Sequence, residues 1–363
     1  MDRVFWIDLI RVVSAFFVIA IHVCGRVGGG YDESGTTLTW LFSRCCHELS
    51  HVAVPLFIMI SGALLLGREE TLLTFYRKRF GKILWSFFAW CYIYVLCRYI
   101  TGLSLEDGTP ITLISTIGTI LVPQNANGHF WFIPMLLSLY LVTPFLSVFV
   151  RNASKNMLTF FLVLWFLAVV IFPVTNNVAK DMLGIARIDF RFEFVSHWLG
   201  FFIAGYALKD FVLSKRWATV AIFSWFFLAI ATPVNVYLRE FSSAPTSTSF
   251  YNFWENYILS ITSHQIVISL LAFLIMRSLG DIASLSYSRF GHIVSAVAPL
   301  TFGIYLIHML FVTPITRILA LGSDASWLAV LFAIPILTIL IYLTSGGMIY
   351  LIRKVPYLRL LAP

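Results

Sequence analysis

Long apolar stretches separated by short polar ones recur along the whole chain, at residues 5–25, 49–66, 83–101, 130–149, 157–173, 196–208, 217–236, 258–276, 298–319 and 327–352. Most approach the roughly 20 consecutive apolar residues that a bilayer-spanning helix requires. The pattern predicts an all-α integral membrane protein, a bundle of about ten transmembrane helices. The opening "MDRVFWIDLIR" carries charge into the first apolar run and lacks a small-residue cleavage site, so it reads as an uncleaved first helix. No internal repeat, low-complexity tract or glycine-rich phosphate loop marks a separate soluble domain, and residues 1–363 read as one transmembrane domain.

Polar positions inside these stretches carry the next layer of information. The first contains "RVVSAFFVIAIH", residues 11 to 22. Eleven helical steps of about 100° bring His22 round to roughly 20° from Arg11, about 16 Å along the axis. The two side chains share a face and cannot touch. Arg11 is too deep to be explained by its end of the helix alone, and Asp8 lies three residues earlier on a neighbouring face, placed to orient or neutralise it. Ionisable groups inside a span are costly and usually mark a functional pathway.

Composition strengthens the membrane reading. The chain is 60% hydrophobic and only 12% charged, with a mean hydropathy of +0.89, where soluble domains are about a quarter charged. The net charge of +8 reflects where basic residues sit, not nucleic-acid binding. With both termini cytoplasmic, sixteen Lys and Arg fall on the inner side, including Arg68, Arg77, Lys78, Arg79 and Lys82, and eight on the outer side. That two-to-one bias fits an even number of spans.

Two other features bear on chemistry. Five cysteines, Cys24, Cys45, Cys46, Cys91 and Cys97, give neither a disulfide framework nor a CxxC spacing. "HELSH" (47–51) matches the zinc-protease pattern, in which two histidines one turn apart bind metal beside a glutamate base. A catalytic zinc needs a third ligand, for which His129 and His197 are candidates. The motif falls at the expected outer mouth of the second span, where polar residues at a helix start need no special explanation. A zinc reading also leaves Arg11 and His22 without a role, so no metal is assigned.

Four segments in order carry a resemblance: Arg-x10-His preceded by "WIDLIR" in the first helix, "VPLFIMISGALLL" (54–66), "HFWFIPMLLSLYLVTP" (129–144) and "TFGIYLIHMLF" (301–311). Together they resemble the acyltransferase-3 family of membrane acyltransferases, in the arrangement of members that O-acetylate surface sugars without a second domain. The resemblance implies a single acyltransferase domain, an acyl-CoA donor, acetyl-CoA in the O-acetylating members, and an acceptor hydroxyl on a cell-surface glycan or lipid-linked sugar. It implies no other cofactor, and a multi-pass location in a bacterial inner membrane. A pantetheine arm separates thioester from phosphates by a distance similar to the about 16 Å between Arg11 and His22. CoA would thread up the first helix from the cytoplasm with Arg11 at its polar end, and His22 would act as general base, as a group that titrates near neutrality can.

The remaining candidates for substrate contact are Asp8, through Arg11; Arg79 and Lys82, where the family carries Arg-x-x-Arg and this chain has lysine second; His129 and Trp131; and Tyr305 with His308. Arg187, Asp189, Arg191 and Glu193 read as a solvated run of charge. Two other functions fit parts of the pattern. A flippase for a lipid-linked sugar would also want polar groups among ten helices, though neither discontinuous helices nor paired half-repeats are evident. A zinc protease would use His47, Glu48 and His51. Direct transfer and an acyl-His22 intermediate are equally compatible with these residues.

Overall fold

The computed structural model describes residues 4–27, 37–172, 175, 197–241, 261–319 and 326–362. Among them the chain is all-helical, without a strand. The main helices are α1 (Phe5–Val27), α2 (Leu38–Ser50), α3 (Ala53–Leu65), α4 (Leu72–Ile100), α5 (Phe132–Asn152), α6 (Lys155–Phe166), α7 (His197–Leu208), α8 (Lys215–Phe241), α9 (Ile261–Leu279), α10 (Arg289–Val297), α11 (Thr301–Ile307), α12 (Met309–Ile318) and α13 (Trp327–Lys354). Seven helical runs in the described residues are long and apolar enough to cross a membrane, and other apolar helices are 10–17 residues long.

Helix α1 is the axis of the bundle. It packs against α2, α3, α9 and each of α10 to α13. Ile10, Ile19 and Val23 are wholly buried, and Ser14 and Asp8 are buried with them. A helix apolar on every side belongs in a protein interior. Its polar residues Asp8 and Ser14 are enclosed by protein, while Arg11 and His22 are half-buried and Arg26 is exposed.

The second apolar stretch differs from its expected boundaries. The helix starts at Leu38, where the Thr37 hydroxyl caps it by accepting from the Trp40 N–H at 3.0 Å, and the span runs to Leu65 with an interruption at His51–Val52. Pro55 explains the interruption. It has no N–H to offer the His51 carbonyl four residues earlier, and that carbonyl instead accepts from Gln265 Nε2 on α9 at 3.4 Å. The late helix also starts earlier than expected. It runs as α10, a 3-10 turn at Ala298–Leu300 containing Pro299, α11 and α12, with His308 between the last two.

Close helix contacts are built on glycine. A Cβ added at Gly62 on α3 would fall onto the backbone carbonyl of Phe202 on α7, and one at Gly205 on α7 onto that of Met59 on α3. Small residues let backbones approach in this way inside membranes. The crossing fixes the wall of the bundle beside α1.

Candidate active site

Arg11 and His22 open into different cavities. The first, of about 290 Å³, is lined by Arg11 together with Phe57, Ser61, Leu64, Tyr140, Tyr305 and other residues of α3, α4, α5 and α11. The second, of about 380 Å³, is lined by His22, Arg26, His51, His129 and Trp131 among others. Phe132 and Tyr305 line both. The two cavities are thus stacked along the Arg11–His22 face of α1, with an aromatic pair between them.

At the Arg11 end, Asp8 Oδ1 lies 3.3 Å from Arg11 Nη1, with Asp8 buried and the Arg11 side chain 37% exposed. Asp8 thereby neutralises a charge that still reaches the cavity. Arg79 does not line the cavity. It donates to Glu70 and stacks 4.2 Å over the Phe75 ring. That hydrogen bond, with Lys78 3.5 Å from the same carboxylate, holds Glu70 below the usual carboxylate range. Lys82 falls on α4, but its side chain lies outside the described residues.

At the His22 end, three imidazoles come together. The ring of His22 is 5.3 Å from that of His308 and 6.3 Å from that of His129, and the last two are 5.0 Å apart. His129 stands on a 3-10 turn, Gly128–Trp131, at the mouth of α5, and its Nδ1 donates to Asn127 Oδ1 at 2.7 Å. His308 Nδ1 donates to the Tyr305 carbonyl at 2.7 Å. Each bond places the remaining lone pair on Nε2, and both Nε2 atoms are buried without a hydrogen bond. Tyr305 donates its hydroxyl to the His129 carbonyl at 2.6 Å, tying α11 to the turn before α5. Trp131 is 40% exposed and packs against Trp198, with ring centroids 5.6 Å apart.

The HELSH motif requires a correction. It ends α2 instead of opening a span, and His47 and Glu48 are 3% and 4% exposed, so its polarity is buried. His47, Glu48 and His51 can each bring one ligand atom within 4.8 Å of the others. Glu48, however, is held by Arg44 at 3.0 Å and faces His264 of α9 at 3.8 Å. A cation already beside the carboxylate opposes a second one there, and the same pair occupies the would-be base. His197 begins α7, but its side chain lies outside the described residues, as do Arg187, Asp189, Arg191 and Glu193.

Phe132, Tyr140 and Arg26 were not singled out by the sequence. Phe132 stands inside the "HFWFIP" stretch and Arg26 four residues after His22, but nothing local distinguishes either from belt aromatic or boundary charge.

The described residues thus form a multi-helix bundle of membrane-spanning character, with a cavity carrying Arg11 and a histidine-lined cavity stacked along one helix. The chain matches the family described as an acyltransferase domain over residues 4–346, and it belongs to this acyltransferase-3 family. No curated protein and no solved structure matches it.

Proposed function

We propose that the protein is an O-acyltransferase of a bacterial inner membrane, moving an acetyl-class acyl group from cytoplasmic acyl-CoA to a hydroxyl of a cell-surface glycan or lipid-linked sugar. One observation carries the reading: Arg11 and His22 sit in two stacked cavities that share the Phe132–Tyr305 wall. The donor enters the Arg11 cavity, where a guanidinium suits phosphate or amide oxygens better than an ammonium would. The acceptor enters the His22 cavity. Its hydroxyl oxygen attacks the thioester carbonyl carbon, forming the C–O bond as the C–S bond breaks. The hydroxyl proton passes to a ring nitrogen of His22 and from there to the departing thiolate. His129, Trp131 and His308 surround the acceptor end of this path.

Family membership does not favour a flippase, and the Arg44–Glu48 pair does not favour zinc proteolysis. The test uses purified protein in nanodiscs, with CoA binding followed by calorimetry and acyl transfer by release of free thiol. His22→Ala lowers transfer by about 10²–10⁴-fold, the range for losing a general base, with CoA affinity unchanged. The double variant Asp8→Asn/Arg11→Gln folds, because removing a buried pair together is tolerated, and loses CoA affinity. Full transfer by His22→Ala, or undiminished CoA affinity in the double variant, overturns the assignment of that residue.

A further inference from the structure

Building on the acyltransferase reading, we infer that Phe132 and Tyr305 form a gate between donor and acceptor cavities that restricts the enzyme to short, unbranched acyl groups. Both side chains are buried, at 6% and 5% exposure. Their rings meet edge to face, with centroids 5.4 Å apart and planes at 66°. Aromatic rings at that separation are in contact, so in the structure the wall is shut.

The two halves are not equivalent. Tyr305 is anchored by its hydrogen bond to the His129 carbonyl at 2.6 Å and stacks with Phe302 at 6.4 Å. Moving it would strip a buried donor and acceptor of their partners, which is costly. Phe132 has no polar tether. It is the first residue of α5, beside the 3-10 turn that carries His129, and its neighbour across the donor cavity is the Phe57 ring at 6.2 Å. Phe132 is therefore the moving half and Tyr305 the fixed jamb.

Direction of travel makes this gate a measure of chain length. The acyl group is the leading end of a donor that arrives from the Arg11 side. Every carbon beyond the carbonyl has to pass between the rings before the thioester comes within reach of His22. It then stands among His22, Arg26, His51 and His129, where an added methylene displaces hydration from polar groups and takes up the acceptor's space. Branching widens the group at the point where the slot is narrowest. The donor cavity, lined by Phe57, Leu64, Leu65 and Leu136, accommodates apolar chain without penalty, so discrimination lies at the wall and beyond it.

The experiment compares acetyl-CoA, butyryl-CoA and isobutyryl-CoA as donors in inside-out membrane vesicles from expressing cells, read as thiol release by wild type, Phe132→Ala and Phe132→Leu. Wild type prefers acetyl over butyryl by at least about tenfold in kcat/KM, the low end of what one or two methylenes cost in a shaped site. Phe132→Ala narrows that preference by about tenfold or more while still using acetyl-CoA. Phe132→Leu, which keeps an apolar side chain of intermediate size, shifts it the same way by less and serves if the alanine variant does not fold. Equal use of all three donors by wild type, or an unchanged preference in variants that turn over acetyl-CoA, refutes the gate and leaves the acyltransferase reading standing. Failure of wild type to consume any acyl-CoA refutes that reading, and the gate with it.

Discussion

At the scale of single residues, the arrangement around His22 assigns different work to chemically identical side chains. His308 donates through Nδ1 to the Tyr305 carbonyl at 2.7 Å, so its Nε2 is an acceptor, in a ring 5.3 Å from His22. That free lone pair faces the side of the base where positive charge develops as His22 takes the substrate proton, and a dipole so placed favours the charge. His308→Leu accordingly lowers kcat by at least about tenfold with the KM for acyl-CoA unchanged. His308→Gln, whose amide oxygen can accept again, recovers part of the loss. Equal loss in both variants, or an altered donor KM, would assign His308 to packing or donor contact instead. Arg11 and His22 were legible in the sequence because one helix carries both and helical arithmetic fixes their separation. The meeting of His22 with His129 and His308 was not, because it depends on how α1, the turn before α5 and the α11–α12 junction pack.

At the scale of elements, the apolar pattern located helices well and their ends poorly. Hydropathy registers bulk transfer, whereas the start of α2 is set by one hydroxyl, that of Thr37, and its break by one absent N–H, that of Pro55. Missing that start placed HELSH at a membrane mouth, when it is the buried end of α2. Packing of elements rests on features equally invisible to hydropathy. Gly62 and Gly205 are unremarkable letters in apolar runs, yet each abuts the backbone of the other's helix. Gly62→Ala forces a methyl against a carbonyl that cannot rotate away, costing about 1–3 kcal/mol or more as overpacking does. Gly81→Ala on α4 meets nothing within 4 Å and gains helix propensity, about 1 kcal/mol in an exposed interior. Thermal unfolding in detergent should therefore move down for Gly62→Ala and not for Gly81→Ala. A Gly62→Ala midpoint at or above wild type would mean that α3 and α7 are less closely packed than their backbones indicate.

At the scale of the whole molecule, the two cavities give the bundle a polarity. The Arg11 cavity draws on the first half of α1, the C-terminal residues Leu64 and Leu65 of α3, and Ile83 in the first half of α4. The His22 cavity draws on the end of α1, on His51 and Val54 before and at the start of α3, and on His129 and Trp131 before α5. Helices running alternately up and down bring like ends together, and Arg151 at the end of α5 closes the same side by pairing with Glu69 at 2.5 Å. The cluster Arg68, Arg77, Lys78 and Arg79 at the Arg11 end predicts, by the positive-inside bias, that this end faces the cytoplasm. Helix α4, with 29 residues, spans about 43 Å at 1.5 Å per residue, more than the roughly 30 Å of a bilayer core. Cysteines placed in its first turn and in the loop that follows it, in an otherwise cysteine-free chain, thus report on opposite faces. Thr74→Cys should react with an impermeant maleimide only after the cells are permeabilised, and Asp107→Cys should react in intact cells. The reverse pattern would turn the molecule over, and CoA made in the cytoplasm would then meet His22 first, leaving Arg11 no donor to hold.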